Sequence, residues 1–395
     1  MSIGADGMEF KMKFTVQKST FMNVLTPAMG TVSNKNTITS IEGILIETLD
    51  DGKVRISSYD MNKGVRAVFE PISIEEEGRF IINAQRLYQT VRVLPEDELT
   101  IEVNDKLNCI ITCGKASFSM FATRGEDFPN LPDLISDRGF EISSSVLRTI
   151  IGKVAHSVAV QDNRVMLTGA YFKIKSDEME VVSCDNYTLS KCKVKCEIGA
   201  ANEASAVDYS FIIPGHALSE IVKILPDNDE FKCVFYLSRK HAIIRCDDIV
   251  FFTRTIDSEY IDYNRITPKD NDIFVTVAKD RLLSGLERAN IIAEERIQGS
   301  GRSYVKLKTD EQTLIITSSS VNGRVSDEMD CVHEGGDIEI GFNCRYLINS
   351  IRVADGENIK ISLKSPTHAI TIEPAEDNGE FDYFYMILPV RMNEQ

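Results

Sequence analysis

The chain repeats its own pattern three times, and this internal repetition restricts the fold more than any other feature. Three segments align at their apolar and basic positions: 82–95 (INAQRLYQTVRVLP), 213–226 (IPGHALSEIVKILP) and 342–355 (FNCRYLINSIRVAD). One position in this alignment is basic in every copy, as Arg92, Lys223 and Arg352. Because the copies are about 130 residues apart, the sequence predicts three similar units rather than a single domain.

A second segment also occurs once in each unit, with a short strand, a polar residue and then apolar residues at helical spacing. Its copies are 14–25 (FTVQKSTFMNVL), 140–151 (FEISSSVLRTII) and 275–286 (VTVAKDRLLSGL). Ser19, Ser143 and Ser144 are predicted N-cap residues, because a hydroxyl accepts from the free amides of a first helical turn. Between the paired segments the sequence alternates with the period of strands, so each unit is predicted to contain two helices and several strands.

The repeated segments predict six helices, at 18–33, 83–94, 143–158, 214–225, 279–297 and 343–353. Pro, Asp and Asn cluster at 127–133 and 261–272, and such clusters are typical of linkers. We therefore expect an α+β protein with three domains, at residues 12–133, 138–262 and 272–395. Residues 1–11 precede a second Met and have no counterpart in the other units, so we interpret them as an extension or an expression-vector remnant.

The composition is that of an acidic globular protein. Lys and Arg total 44 and Asp and Glu total 60, which gives a net charge of −16, while 43% hydrophobic residues allow ordinary cores. No apolar run reaches the roughly 18 to 20 residues that cross a bilayer, and the amino terminus lacks a secretory layout. Nine cysteines in this length favour reduced thiols. We expect a cytoplasmic protein with no membrane partner.

Few residues have the arrangement that catalysis or metal binding requires. Cys109 with Cys113, and Cys192 with Cys196, are thiols four residues apart, but neither pair has a nearby His or second pair to complete a zinc site. Cys184 is a conceivable nucleophile, yet the five histidines are scattered and no local signature surrounds it. We interpret the thiols as structural, predict no metal or cofactor, and do not expect an enzyme.

The charge is distributed unevenly between the predicted helices and the rest of the chain. The six helices carry a net charge of +7, so the strands and loops of this acidic chain are strongly negative. One explanation is that Lys and Arg are good helix formers on solvated surfaces. However, four of the six helices contain no acidic residue. The pattern favours a helical surface that contacts phosphates without reading a nucleotide sequence.

These features together resemble the bacterial DNA polymerase sliding clamp family, the beta subunit of the replicative polymerase. The matching stretches are 12–15 (MKFT), 121–124 (FATR), 128–129 (FP), 340–343 (IGFN) with Tyr346, and 388–392 (LPVRM). The resemblance implies three clamp-like domains per chain, with two chains closed head to tail into a homodimeric ring whose helices lie inside and whose sheets lie outside. It also implies a non-enzymatic processivity factor that encircles double-stranded DNA and tethers the replicative DNA polymerase.

The resemblance implies contacts with DNA and with other proteins. DNA-facing positions similar to those of the family are Lys35, Gln161 and His216. Helix charge adds further candidates: Arg86, Arg92, Arg148, Lys153, Lys223, Arg345 and Arg352. The implied protein partners are the polymerase, the clamp loader and repair proteins that carry a short hydrophobic motif. The alternatives are a repeat scaffold that binds proteins without encircling DNA and an enzyme that uses Cys184.

The hydrophobic motif is captured, by resemblance, in a groove between the second and third domains. The matching positions are Leu167, Cys184, Asn186, Tyr187, Thr188, Leu189, Ile261, Arg265, Ile266, Ile297, Asn343, Tyr346, Thr367, Leu388, Pro389, Val390, Arg391 and Met392. The family commonly has Thr, Gly, His and Arg where this chain has Cys184, Asn186, Tyr187 and Thr188, and Pro where this chain has Ile261. Each aliphatic member is equally well explained as a core residue. Pro389 favours an extended tail that should lie beside Tyr346, Leu189 and Arg265.

Overall fold

The computed structural model describes residues 11–33, 39–134, 136, 138–201, 207–226, 228, 230–294, 296–297, 301–302, 304–376 and 379–392. Its helices are α1 (Lys18–Met29), α2 (Ala84–Val93), α3 (Ser144–Val154), α4 (Gly215–Ile224), the single turn α5 (Tyr263–Ile266), α6 (Lys279–Ala293) and α7 (Cys344–Val353). Apart from α5, they lie at the six predicted positions, which confirms the α+β class. In the described part of the chain, no helix has both the length and the apolar character needed to cross a membrane.

The strands outnumber the helices, as the alternating pattern predicts. They are β1 (Met12–Gln17), β2 (Gly43–Thr48), β3 (Val54–Tyr59), β4 (Lys63–Phe69), β5 (Ser73–Glu76), β6 (Arg79–Asn83), β7 (Glu98–Val103), β8 (Asn108–Cys113), β9 (Ala116–Arg124), β10 (Gly139–Ser143), β11 (Gly169–Lys175), β12 (Glu178–Cys184), β13 (Thr188–Lys195), β14 (Gly199–Ala200), β15 (Asp208–Pro214), β16 (Lys232–Leu237), β17 (His241–Cys246), β18 (Ile249–Arg254), β19 (Ile273–Ala278), β20 (Arg296–Ile297), β21 (Gly301–Arg302), β22 (Val305–Asp310), β23 (Thr313–Ser319), β24 (Arg324–Asp330), β25 (Val332–Glu334), β26 (Glu339–Phe342), β27 (Asn358–Leu363), β28 (Ile370–Pro374) and β29 (Phe381–Ile387).

The described residues belong to two compact units. Unit 1 comprises the described residues within Met1–Ser145, Gly199–Ser205 and His216–Thr255, and unit 2 comprises those within Val146–Ile198, Ala206–Gly215 and Ile256–Gln395. In unit 1, fourteen strands follow the order β14-β10-β16-β17-β18-β4-β3-β2-β6-β9-β8-β7-β1-β5. In unit 2, nine strands follow the order β15-β11-β12-β13-β29-β28-β27-β19-β25, and β24-β23-β22-β26 form a second sheet.

Both long sheets continue from one predicted domain into the next. In unit 1, β18 pairs with β4, so that Ile249 lies opposite Ala67. In unit 2, β13 pairs with β29, so that Thr188 lies opposite Ile387. Since the strands of the central third are shared between the two units, packing does not follow the predicted domain limits, and those limits stay a prediction.

A repeated contact in each predicted domain joins the first residue of one helix to the chain just after the other. The amides of Lys18, Ser144 and Lys279 donate to the carbonyl oxygens of Asp97, Phe231 and Glu357, at 3.1, 2.8 and 2.8 Å. The side chains of the same three residues donate to the carbonyl oxygens of Leu94, Pro226 and Ala354, at 2.6, 2.8 and 2.6 Å. Because carbonyls at a helix end have no partner within the helix, a donor at this position stabilises every copy.

The predicted N-cap residues are only partly correct. Ser19 lies inside α1, whose N-cap is Gln17, and Ser144 is the first residue of α3 and uses its hydroxyl on carbonyl oxygens. Ser143 does directly precede α3. Two side-chain caps among the described residues are Asn83 and Asn343, whose Oδ1 atoms accept from the amides of Arg86 and Arg345 at 3.1 Å.

A polar cluster surrounds His156 in unit 2. Its Nε2 lies 3.2 Å from the Ser190 Oγ and 3.3 Å from the Ser350 Oγ, and its ring packs edge-on against Tyr385 at 5.2 Å between centroids. Burial lowers the pKa of His156 to about 4. The imidazole is therefore neutral in the folded protein at neutral pH.

Acidification should destabilise unit 2 through His156. Its pKa is near 6.5 when unfolded and about 4 when folded, so the unfolded state takes up the proton first. The stabilisation is complete above pH 6.5 and is lost as the pH falls towards 4, with a loss of about 2 kcal/mol between pH 7.5 and 5. Urea unfolding at both pH values should show that His156→Gln removes this difference. An unchanged pH dependence in the variant would contradict the assignment.

Candidate functional site

The hairpin between β12 and β13 presents two exposed residues of the predicted groove, Asn186 and Tyr187. Its loop is 185–187, and Asp185 Oδ1 accepts from the amides of Tyr187 and Thr188, both at 2.6 Å. The first unit has the same turn, in which Asp60 Oδ1 accepts from the amides of Asn62 and Lys63 at 2.9 and 2.8 Å. This Asx turn fixes the loop locally, so that Tyr187 is held at its tip.

Tyr187 and the carboxy-terminal tail together form one exposed apolar surface. The Tyr187 ring stacks on Tyr346 with 5.7 Å between centroids and 20° between planes. The amide of Leu388 donates to the carbonyl oxygen of Tyr187 at 2.8 Å. Tyr187 and Leu388 are 53% and 39% exposed. We call Tyr187, Tyr346 and Leu388 the aromatic shelf.

The tail after Leu388 lies along β26. The amide of Val390 donates to the carbonyl oxygen of Gly341 at 2.8 Å, as part of an isolated antiparallel bridge. A Cβ on residue 341 would lie 2.9 Å from the Met392 side chain and 3.2 Å from that of Val390, so glycine allows the tail to pack closely. The Arg391 side chain is exposed, and Pro389 is half-buried.

Beneath the hairpin lies a buried cluster that forms the floor of this region. It contains Ala159, Leu167, Val182, Cys184, Leu189, Tyr263 and Met386. Leu167 and Leu189 are fully buried, and Thr188 is also buried. These three residues are therefore part of the protein core. Tyr171 and Tyr260 stack at 5.2 Å over one side, and Ile261 packs against the cluster. The floor is therefore apolar and already packed.

Cys184 does not have the environment of a nucleophile. Its Sγ donates to the carbonyl oxygen of Asp185 at 3.0 Å. Burial, followed by the charge of Asp185, raises the pKa of the thiol to about 12. Because the thiolate is the reactive form, Cys184 is a poor nucleophile at neutral pH.

A cavity lies beside part of this region. Val165, Arg265, Ile266 and Thr367 are exposed, and of these Arg265 and Ile266 line the cavity. A cavity of about 380 Å³ is lined by residues 264–271 together with Lys364, His368 and Ala369. The predicted groove residues Arg265 and Ile266 are among these lining residues. Asn343 has a structural role as the α7 N-cap, and the side chain of Ile297 lies outside the described residues.

Sequence reasoning missed several residues of this region. Arg164 pairs with Asp162, 3.1 Å away, and also donates to Asn186 at the hairpin tip. Hydrogen bonds from Arg164 hold the pKa of Asp162 below its ordinary value. Met386, Tyr260 and Tyr263 were missed because an apolar strand residue or a linker tyrosine has no distinctive local pattern. The register of β13 with β29, which places Leu189 opposite Met386, is the signal that would have found Met386.

The basic residues predicted to face DNA differ in their surroundings. Arg86 and Arg92 are exposed on α2 and form no ion pair in the part of the chain that the structure describes. Lys223, Arg345 and Arg352 are bound to Glu220, Glu294 and Glu287, at 3.0, 2.8 and 3.0 Å. Gln161 and His216 are exposed and Arg148 is half-buried, whereas Lys35 lies outside the described residues.

Lys153 was predicted to face DNA, but its surroundings contradict that prediction. It is only 4% exposed, and its Nζ lies 2.5 Å from Asp355 and donates to the Val353 carbonyl oxygen at 2.6 Å. The ammonium also lies 4.3 Å from the centre of the Tyr383 ring. An ammonium enclosed in this way is unavailable to a phosphate, so the helical charge pattern placed it on the wrong surface.

No group of three or more His, Cys, Asp or Glu side chains in the described ranges is arranged to hold a metal ion. Eight of the nine cysteines are buried, and none forms a disulfide. Burial raises the pKa of the Cys109 and Cys192 thiols to about 12. These thiols behave as small apolar core residues.

Comparison with known families gives three consecutive matches. Residues 12–132 match the family described as DNA polymerase III beta subunit, N-terminal domain. Residues 141–262 match its central domain, and residues 264–391 match its C-terminal domain. The three matches follow the order of the repeats and cover nearly the whole chain.

Individual relatives agree with these matches. The beta sliding clamp of Bacillus subtilis (strain 168) is 27% identical over 395 residues, which covers 96% of this chain and 100% of that protein. The crystal structure of the DNA polymerase sliding clamp from Bacillus subtilis has a TM-score of 0.85 at 25% identity, covering 97% of this chain and 100% of that one. A Pseudomonas aeruginosa sliding clamp bound to griselimycin has a TM-score of 0.85 at 21% identity, covering 96% and 100%, and shows the same fold.

Proposed function

Because the chain belongs to the DNA polymerase III beta subunit family, we propose that it is a ring-shaped processivity factor that encircles duplex DNA. It is a DNA sliding clamp that serves replication. The observation that carries this function is the succession of three clamp domains along one chain, each with two helices that follow strands. We place its action in the cytoplasm, where it tethers the replicative polymerase and other partners.

The mechanism is topological. A closed ring leaves DNA only when it opens or reaches an end, so its contacts with phosphates need not be strong. Weak contacts allow sliding, while a tethered polymerase stays at high effective concentration near the primer end. No step of this mechanism needs a catalytic residue, and the raised pKa of the Cys184 thiol supports a non-enzymatic role.

Ring closure needs complementary surfaces at the two ends of the chain, and unit 1 supplies one of them. Residues 116–121 of β9 pair with β8 on one side, while β6 pairs only with residues 122–124. Among the described residues, the other edge of 116–121 has no strand partner. Phe118 and Phe121 flank this edge, and Phe121 is 81% exposed. An open edge with exposed aromatic residues is a ready docking site for another strand.

Unit 2 supplies the second surface. β24 pairs with β23 only, and it is the terminal strand of its sheet. Ile291 at the end of α6 is 71% exposed, and Val321 at the tip of the β23–β24 hairpin is also exposed. β24 contains Asp327, Glu328 and Asp330 against one Arg, and of these Asp327 is bound by Arg281 and Arg288. β9 contains no acidic residue, follows Lys115 and ends at Arg124.

These two edges fit a head-to-tail dimer. Each offers unpaired backbone groups, exposed apolar side chains and a charge opposite to that of the other, so strand addition between two copies satisfies both. A heterologous contact that closes after two copies gives a ring with two identical interfaces. We propose that β9 of one copy pairs with β24 of the next.

We propose that the DNA-facing surface is formed mainly by accessible residues of the helices. We propose Arg86, Arg92, Arg148, Lys223, Arg345, Arg352, Gln161, His216 and Lys35 as contacts with the phosphate backbone. Arg86 and Arg92 are the best supported of these contacts, because they are exposed and have no acidic partner in the described ranges. To contact DNA, Lys223, Arg345 and Arg352 would each have to release the glutamate that they bind and bind a phosphate instead.

The partner surface is the region around the β12–β13 hairpin. We propose that a short hydrophobic peptide of the polymerase, the clamp loader or a repair protein binds along the aromatic shelf and across to Ile266. The exposed apolar side chains on both sides of a packed floor support this, because peptide recognition uses a few apolar anchors. The predicted residues Leu167, Thr188 and Leu189 would act as the floor rather than as direct contacts.

The function is tested by retention on DNA of different topology. After loading onto nicked circular DNA, the protein should stay bound, and linearising the same DNA should release it by sliding off the ends. Equal retention on both forms would exclude encirclement and favour an ordinary binder, and a scaffold without DNA binding would be retained on neither.

The same assay separates the proposed DNA contacts from structural lysines. Arg92→Ala should shorten retention on circular DNA and reduce the salt dependence of binding by about one counterion. Lys153→Met, which removes an enclosed ammonium, should leave the salt dependence unchanged even if it lowers stability. If Lys153→Met and Arg92→Ala changed the salt dependence equally, the assignment of the surface would be wrong.

A further inference from the structure

The cavity beside the partner surface differs in character from the surface itself. It is formed by residues 264–271, which include the end of α5, and by the loop that carries Lys364, His368 and Ala369. Ala369 packs against the buried floor, and the exposed Ile266 lines the cavity wall. The cavity is therefore continuous with the apolar surface at these two residues. Its volume of about 380 Å³ is sufficient for one side chain or chain end.

The cavity is basic within an acidic protein. Three of its lining residues, Arg265, Lys269 and Lys364, are cationic, and Asp270 is the only acidic one. Lys364 donates to Asp270 and forms an ion pair with it. This hydrogen bond and the positive charge of Lys364, with a smaller contribution from His368, hold the pKa of Asp270 below its ordinary value. Arg265 and Lys269 are exposed and make no ion pair within the described residues. Two cationic groups thus remain available to an anion, while the whole chain carries a net charge of −16.

We propose that this cavity binds a carboxylate of the partner peptide, immediately after the apolar residues that occupy the partner surface. The planar guanidinium of Arg265 can bind a carboxylate through two parallel hydrogen bonds, and Lys269 adds a second positive charge. The carboxylate belongs either to the end of the partner chain or to an Asp or Glu side chain. This inference rests on the proposed function of the partner surface.

The test uses four versions of one Leu- and Phe-rich peptide that differ only at the end. One has a free terminal carboxylate, one has a terminal amide, and two amidated versions add either Glu or Gln after the last apolar residue. In isothermal titration, we expect carboxylate versions to bind about tenfold more tightly than their neutral counterparts. Comparison of the free acid with the Glu version identifies the source of the carboxylate. The preference should decrease as the salt concentration rises.

Variants of the cavity residues test whether Arg265 and Lys269 cause the preference for carboxylate peptides. Lys269→Ala should weaken the carboxylate peptides by several-fold and leave the amide unchanged, and Arg265→Ala with Lys269→Ala should abolish the preference. Lys195→Ala, which replaces an exposed lysine elsewhere in unit 2, should preserve it. If all four peptides bind equally, the carboxylate site is refuted while the partner surface stands. If none binds, the partner surface and this inference fail together.

Discussion

Replacing Phe121 with Asp should convert the proposed dimeric ring into monomers. The residue is 81% exposed beside the open edge of β9, and in the proposed ring it would be buried against the edge formed by β24 and Ile291. Loss of an aromatic anchor and burial of an unpaired carboxylate facing acidic β24 should together cost about 3 kcal/mol or more at each interface. The dissociation constant should therefore rise at least about 100-fold. Sedimentation equilibrium over a concentration series measures this directly.

A control and a complementary variant make the result specific. Ile72→Asp changes another exposed apolar residue of unit 1, near β5 at the far end of the strand order, and should leave the dimer intact. Ile291→Asp should dissociate the ring from the other side. Mixing the Phe121 and Ile291 variants should restore association, because one of the two interfaces then contains only unaltered surfaces. A two-fold symmetric contact of Phe121 with itself would not be restored by mixing.

Deleting residues 388–395 should abolish binding of partner peptides while the protein still folds and dimerises. The deletion removes Leu388 from the aromatic shelf and with it the amide that fixes the Tyr187 carbonyl oxygen. Loss of several apolar anchors should cost about 2 kcal/mol or more, which corresponds to at least about thirtyfold weaker binding. Isothermal titration of a Leu- and Phe-rich peptide against the intact and shortened proteins measures it.

The matched control for this deletion removes only 393–395, which leaves the contacts of Leu388 and Val390 in place. That shorter deletion should bind the peptide as the intact chain does. Leu388→Ala should give an intermediate loss, since Tyr187 and Tyr346 still stack. Unchanged affinity in the long deletion, with dimerisation intact, would place the partner surface elsewhere.

The sequence predicted the helices well because each has a local cause. Apolar residues at helical spacing follow a strand in every repeat, and the ends in the structure differ from the predicted ones by only a few residues. The caps were less predictable. Serine is a good N-cap, but Ser144 instead donates to Pro226, an arrangement that depends on the chain returning to it more than eighty residues later.

The candidate site shows where a linear pattern stops being informative. Lys153 has the same local pattern as the exposed helix arginines, and only the approach of Asp355 and Tyr383 reveals that it is enclosed. Met386 became part of the floor through pairing with Leu189, which lies almost two hundred residues earlier. Residues whose roles depend on such long-range pairing are not distinguishable from ordinary core residues by spacing.

The sheets that run through the predicted domain limits affect how clamps of this kind can change over evolution. Strands β10, β16, β17 and β18 of the central third complete one sheet, while β11, β12, β13 and β15 complete another. Cut out alone, this segment would expose open edges at both β18 and β13, which is an aggregation hazard rather than a folded module. Exchange of a central domain between relatives therefore succeeds only where the junctions β4–β18 and β13–β29 keep their register. Whether two clamps can exchange their central domains is therefore decided at these two strand pairings.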